Sequence, residues 1–405
     1  MHEKRLTCIR CKSEYPIENS YLCSNCGGIL DVTYEYPKDL ANIVKNGSFF
    51  NHLEKILPLE EGRYISIGQG NTPLVQSLNI NKVKNLGTLF LKCEYLNPTG
   101  SFKDRPVSVG ISVAKSRGET SVVVASSGNG AASVAAFAAR ANIRAIIIVP
   151  QNTPEEKVRQ TLMYGGQVIK VPGPYSDCFK LGKEISEKYK IMNLTSTFIN
   201  PYMLEGDKVI AYELLHQMPR VPDVIFVPIG AGPLLVGIYK GYKELFNMGL
   251  ITTLPKMVGV QAEGCNPIAR AYEQKKHTVE CEKYPQTIAG GISDGLVGYT
   301  QDGEYVLQCI EESGGWAISC NDDELLEMQY KLASLEGIFV EPSSAISIAG
   351  IKKSIELTLT DEKATHLALL TGSGLKDMSV PLRGKPVLQV DNIESLKGLF
   401  EKGDK

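Results

Sequence analysis

Along most of this chain, from about residue 86 onward, short apolar runs alternate with longer amphipathic stretches. TLFLKCEY, SVVVA, AIIIVP and VIKVPG are brief and rich in β-branched side chains, and they predict strands. The segments between them predict helices. These are DRPVSVGISVAKSRG, the alanine-rich AASVAAFAARA, PEEKVRQTLMYGG with Pro and carboxylates in its first turn, and SDCFKLGKEISEKYK. Further along, DVIFVPIGAGPLLVGIYKGYKELF repeats the sequence of strand, glycine turn and helix, as PKMVGVQAEGCNPIARAY and HLALLTGSGLKD do in part. Strand runs that are apolar throughout belong to sheets covered on both faces, so the fold class is α/β with mostly parallel strands. Several such units over roughly 300 residues predict two α/β domains.

Composition narrows the class. The chain has 405 residues, 43 Lys+Arg against 45 Asp+Glu, and a net charge of -2. That balance excludes a dedicated nucleic-acid binder, whose basic face would show in the count. With 43% hydrophobic and 22% charged residues, wholesale disorder is excluded too. No apolar run reaches the ~18 residues of a membrane span, and MHEKRLTC lacks the apolar core of a signal peptide. The expected compartment is the cytoplasm, with no membrane partner.

Ten cysteines are unevenly spread. Six are scattered and read as small buried hydrophobes. The other four form Cys8-x2-Cys11 and Cys23-x2-Cys26, separated by eleven residues. Each pair presents two thiolates to one tetrahedral ion, so Cys8, Cys11, Cys23 and Cys26 are candidate ligands of a structural zinc with no open position.

Three glycine turns end predicted strands: Ser126-Ser127-Gly128-Asn129-Gly130, Gly230-Ala231-Gly232 and Thr371-Gly372-Ser373-Gly374. In such sheets ligands sit beyond the carboxyl ends of strands, where backbone N–H groups at helix N-termini receive anions. None of the three matches a dinucleotide or P-loop fingerprint. The segment Asn97 to Arg105 places Lys103 at a helix start, where positive potential lowers its pKa and favours a neutral, nucleophilic amine. Such a lysine can form a Schiff base with an aldehyde cofactor, although a lysine at a helix start is by itself usually a solvated charge.

Taken in order, GQGNTPL, NPTGSFKDR, SSGNGAAS, PIGAG, GIFVEPSSA and TGSGLKD resemble the fold type II pyridoxal-phosphate enzymes of the threonine synthase type, over roughly residues 60 to 380. The resemblance implies two doubly wound α/β domains beside a small zinc-ribbon-like knuckle. It implies a knuckle at 1–36, a large cofactor-binding domain at 37–98 and 208–390, a small domain at 99–207 and a tail at 391–405. It implies pyridoxal 5'-phosphate as cofactor, a small amino-acid substrate and a homodimer. Carried over by position, Lys103 is the Schiff-base lysine and shuttles protons at the substrate. Asn129 meets the cofactor's 3'-oxygen, and Thr371 meets its ring nitrogen. Gly230, Ala231, Gly232, Pro233 and Leu234 wrap its phosphate, and Ser127, Gly128, Asn129 and Gly130 receive the substrate carboxylate. Glu341 reads as a helix cap, and Asp104 and Arg105 as supporting ion partners.

The same resemblance fails at the leaving-group phosphate site, and the segment Thr287 to Gly295 also departs from the family's pattern. A threonine synthase releases phosphate from O-phosphohomoserine and needs a second phosphate site. Here Gly130 stands where the family has a hydroxyl residue, and Thr197, Phe198 and Met203 replace its Asn, Ser and Arg. Two readings stay open: a threonine synthase whose phosphate is held by other groups such as Lys208, or an α,β-elimination or β-replacement enzyme for a serine- or threonine-like substrate. A silent binding protein with this fold would have lost Lys103 or Asn129, and both are present.

Overall fold

The structure, a computed structural model, describes residues 4–17, 21–36, 39–47, 52–80 and 87–378. The expected tail at 391–405, and the end of the expected large domain, lie outside these residues. At the N-terminus, β1 (Lys4–Cys8), β2 (Glu14–Tyr15) and β3 (Leu30–Tyr34) form an antiparallel sheet in the order β2-β1-β3. Only one of its faces is covered. Leu6, Cys8, Leu30 and Val32 point inward while their neighbours stay wetter, as the two-residue period of a strand requires.

Two larger sheets follow. The chain lays down β4 (Leu74–Gln76) and β5 (Thr88–Lys92), then β6 (Ser121–Ala125), β7 (Arg144–Pro150), β8 (Gln167–Val171) and β9 (Met192–Asn193), and finally β10 (Val224–Pro228), β11 (Lys256–Ala262), β12 (Trp316–Cys320) and β13 (Thr365–Leu369). The four-stranded sheet runs β8-β7-β6-β9 and is parallel throughout. The six-stranded sheet runs β12-β11-β10-β13-β5-β4, and only β4 is antiparallel. The central strands β6, β10 and β13 are buried at every residue, which is why their sequences carry no alternation. The parallel α/β class read from the apolar runs is therefore the observed one.

Helices Asp104–Ser116 and Pro201–Gln217 cross closely between the two sheets. Their approach depends on Gly206, where a Cβ would fall 2.2 Å from the Arg105 carbonyl oxygen. Pro201–Gln217 is buried from Pro201 through Leu214, so it has no polar face to give a helical period in the sequence. The expected boundary between 207 and 208 falls inside it. Helices Thr300–Glu312 and Asp322–Glu336, and strand β12 between them, also add to the elements predicted from pattern.

A buried ion cluster fixes the start of Asp104–Ser116. Arg105 forks onto Glu94 through Nε (2.6 Å) and Nη2 (2.8 Å), and onto Glu213 through Nη1 and Nη2 (both 2.7 Å). Lys92 from β5 reaches Glu213 at 2.7 Å. The GQGNTPL segment closes over this cluster. Its Asn71 N–H donates to Glu213, and the Thr72 hydroxyl donates to Glu94. Two cations thus balance two carboxylates, and each fork is the planar geometry a guanidinium suits.

The small N-terminal sheet is tied to the opposite face of Pro201–Gln217. Lys240 bonds Asp31, the Val32 carbonyl and Glu205, while Lys208 bonds Glu205 and Glu244 and lies over the Tyr34 ring. Lys208 is fully buried there. The expectation that it could hold a substrate phosphate is corrected: Glu205 and Lys208 are three residues apart on one helix face, and that face looks at the small sheet.

Candidate active site

Between the two large sheets lies a cleft of about 950 Å³. Its walls come from the carboxyl ends of β6, β10 and β13, where each chain turns through glycine into the next segment. Lys103, Ser127, Gly128, Asn129, Gly130, Gly230, Ala231, Gly232, Pro233, Leu234 and Thr371 all line it. The sequence had placed them over an interval of 269 positions (103 to 371), and the topology brings them to one chamber.

Lys103 is the residue immediately before helix Asp104–Ser116. Its place is set by Asp104, whose carboxylate accepts from the Thr99 N–H (2.8 Å), the Thr99 hydroxyl (2.6 Å) and the Ser133 hydroxyl (2.7 Å). These bonds pin the Asn97–Ser101 turn to the alanine-rich helix. The amine lies 4.7 Å from the centre of the Phe102 ring. Burial lowers its pKa, with Asp207 and Asp294 pulling the other way. Both carboxyls are themselves pushed up by burial, Asp207 to about 8. Both Asp207 oxygens are buried with no hydrogen-bond partner among the described residues, and burial favours the protonated acid there.

Two arrays of backbone donors face the cleft. Helix Asn129–Ala141 begins after Gly128 with no side-chain cap, which leaves the N–H groups of its first turn open. Helix Pro233–Asn247 begins after Gly232, which lies at φ +86, a conformation that glycine adopts without strain. No acceptor among the described residues takes the N–H groups of Gly230, Ala231 or Gly232. Pro233 has no N–H to offer, but as the first helical residue it needs none. A glycine is required at 232 for space as well, since a Cβ there would meet Val306 at 2.6 Å.

Thr371 shares a 2.9 Å hydrogen bond with Ser344, and its hydroxyl is buried at the cleft wall. Glu341 precedes helix Pro342–Glu356 but makes no cap bond. Instead its two carboxylate oxygens accept from Asn129 Nδ2, each at 3.2 Å. The capping role expected for Glu341 is corrected accordingly. Thr197 and Met203 line the cleft, whereas Phe198 is buried against Tyr305, 5.8 Å between ring centres. The sequence reading missed Asp207, Asp294 and the Glu341 contact. One signal was present for Asp207: four residues after Met203, it shares that residue's helix face.

A lysine biased toward its neutral form, flanked by two open anion-binding donor arrays, fits an aldehyde cofactor that carries a phosphate together with a substrate carboxylate. The chain belongs to the family described as pyridoxal-phosphate dependent enzyme, which matches residues 65–372. Within that family it is threonine synthase-like. It is 37% identical to the threonine synthase of Methanocaldococcus jannaschii, over 93% of this chain and 94% of that one. It is 36% identical to the threonine synthase of Methanosarcina acetivorans, over 97% of each. Among solved structures, maize serine racemase aligns with a TM-score of 0.65 at 25% identity, covering 76% of this chain and 90% of that one. The processed form of threonine deaminase isoform 2 from Solanum lycopersicum aligns at 0.67 and 22%, covering 82% and 91%, and shows the shared fold.

At the other end of the chain, one sulfur from each of Cys8, Cys11, Cys23 and Cys26 lies within 4.8 Å of every other. The Cys8–Cys26 and Cys11–Cys23 sulfurs are 3.5 Å apart. A tetrahedron of four Zn–S bonds of about 2.3 Å has edges of about 3.8 Å, so the donor set fits zinc.

Proposed function

We propose that the chain forms threonine from O-phosphohomoserine and water, releasing phosphate. The observation that carries this reading is the convergence of Lys103, Asn129 and the two donor arrays on one cleft, in a chain whose relatives over nearly its whole length are threonine synthases. Pyridoxal phosphate, when bound, supplies an electron sink for carbanion chemistry at the substrate's α-carbon. Lys103 would hold it through its amine and would move protons between neighbouring substrate carbons. The N–H groups of Gly230 to Gly232 and of Leu234 hold its phosphate, and those of Ser127 to Gly130 hold the substrate carboxylate. Asn129 would meet the ring's 3'-oxygen. Thr371 would meet the ring nitrogen with a hydroxyl, which would not hold that nitrogen protonated as a carboxylate would.

The leaving phosphate has fewer partners than the resemblance would give it. Lys376 is held by the Thr99 carbonyl and Gln160, and Lys208 is turned away. Lys157 and Arg159, exposed on helix Glu155–Met163, are cations that line the cleft and could meet a dianion there, and Ser196 and Thr197 line it too. The apolar Met203 wall and the engaged Lys208 favour a second reading, α,β-elimination or β-replacement on a serine- or threonine-like substrate. We further infer that the four-thiolate cluster holds a structural zinc, supported by its sulfur spacing.

A substrate panel of O-phosphohomoserine, threonine, serine, O-phosphoserine, O-acetylserine and diaminopropionate decides between the readings, with phosphate, ammonia and keto acid followed separately. Threonine and phosphate in equal amounts from O-phosphohomoserine are expected. Keto acid and ammonia from threonine or serine, with no turnover of O-phosphohomoserine, would overturn the first reading in favour of the second.

A further inference from the structure

Glu341 and Asn129 start two helices that belong to different sheets, 212 positions apart in the chain, and their side chains meet across the cleft. The room for this contact is built in. A Cβ at Gly372 would come within 2.5 Å of the Glu341 carboxyl carbon, and one at Gly291 within 3.0 Å of its Oε1. Such space next to a buried carboxyl is unusual to keep free, because a helix could be capped there at lower cost by Ser, Thr, Asp or Asn. Glu341 makes no cap bond at all.

Which end of an asparagine amide faces a ligand is decided by the partners of its other end. A carboxylate is an acceptor only. While Glu341 is ionised, the Asn129 Nδ2 end is held toward it through both oxygens. Once protonated, the carboxyl both donates and accepts, and it no longer discriminates between the amide's two ends. We propose that Glu341 is a positioning residue whose protonation sets the orientation of the Asn129 amide, and through it the hydrogen bond offered to the cofactor's 3'-oxygen. This rests on the reading of Asn129 as the partner of that oxygen.

The surroundings suit a group that titrates in the working range. Burial pushes the Glu341 carboxyl up to about 7, with Asn129 and Lys376 pulling it down, Asp377 pushing it up and Ser343 lowering it slightly. Lys376 and Asp377 face it from the turn after β13, Asn129 from the four-stranded side, and Ser343 from its own helix. The turn Gly290–Ile292, packed against the same carboxyl, brings no titratable side chain.

The test is a pH titration of the cofactor-loaded protein by visible absorbance, between about pH 6 and 9, with the cofactor dissociation constant measured at each pH. The natural sequence should show a spectral transition near neutrality and a change in dissociation constant of about tenfold across it. Glu341→Gln should remove both pH dependences, and Glu341→Asp should keep a displaced transition. Lys376→Met, which leaves Glu341 in place, should move the transition to higher pH. A Glu341→Gln protein with an unchanged transition would overturn the proposal. So would Lys376→Met with an unmoved midpoint, which covers the case in which the glutamine variant fails to fold. Failure of the natural sequence to take up cofactor at all would count against the reading of the site itself, and is recognisable before any variant is made.

Discussion

Replacing Arg105 by Met removes the guanidinium from a cluster in which no side chain is more than 2% exposed. The substitution roughly conserves volume, so the loss is electrostatic. Four bonds of 2.6–2.8 Å disappear. Glu213 keeps Lys92 at 2.7 Å, but the cation left to Glu94 is Lys92 at 4.0 Å. A balanced set of two positive and two negative groups becomes one with an uncompensated buried charge. Breaking a buried pair in this way costs about 3–5 kcal/mol, a large part of the roughly 5–15 kcal/mol that holds a domain folded. The protein has one tryptophan, Trp316 on β12, away from the cluster, so its fluorescence reports unfolding of the six-stranded sheet without local disturbance. For a slope of ~3 kcal/mol per molar, the urea midpoint should fall by about 1 M or more. Adding Glu94→Gln restores the balance and should return at least ~1 kcal/mol, a coupling that separates lost charge from lost packing. A loss below ~1 kcal/mol in Arg105→Met, or additive losses in the double variant, would refute the reasoning.

Other outcomes follow from the same geometry. Lys103→Ala should bind the cofactor only reversibly, so that dialysis removes it and its absorbance together; retention after dialysis would place the attachment elsewhere. Gly372→Ala should weaken cofactor binding by at least about tenfold, because the new methyl displaces the Glu341 carboxyl 2.5 Å away; titration of the cofactor-free protein with pyridoxal phosphate measures it. In cofactor-free protein, burial raises the Glu341 and Asp207 pKa values to about 7 and about 8. Their folded values lie above the unfolded ones, so the stability these two carboxyls contribute is full below about pH 4 and is lost as pH rises toward 8, by about 3 kcal/mol for Glu341 alone. Between about pH 6 and 9 the urea midpoint of the natural sequence should fall relative to that of Asp207→Asn as pH rises. Reduced protein should carry one zinc per chain by metal analysis, and Cys23→Ala should lose it.

The sequence was most legible where one short segment does one job. Each strand with its glycine turn announces both an element and a donor array, while Lys103 is singled out by the resemblance that NPTGSFKDR carries and not by its place before a helix alone. What stayed hidden is made by pairs far apart in the chain. Glu341 looks like a cap because it precedes Pro342, and nothing local says that its carboxyl goes to Asn129. Lys208 is one group offered for the phosphate in one of two open readings, and its spacing from Glu205 puts the two on one helix face, which the structure turns toward the small sheet. The helix carrying both is buried almost all round, so its period was invisible.

The anchoring of the small N-terminal sheet also dictates an order of events during synthesis. Asp31 waits for Lys240, 209 positions later. At ~5–20 residues per second, that interval is about 10–40 s. Glu205, which joins both ends of the contact, emerges only shortly before. Until then the cysteine segment has its own short strands and lighter contacts such as Lys4 to the Leu59 carbonyl and Tyr21 to the Asn193 N–H, so among the first residues made the Asp31 anchor is one of the last to be secured.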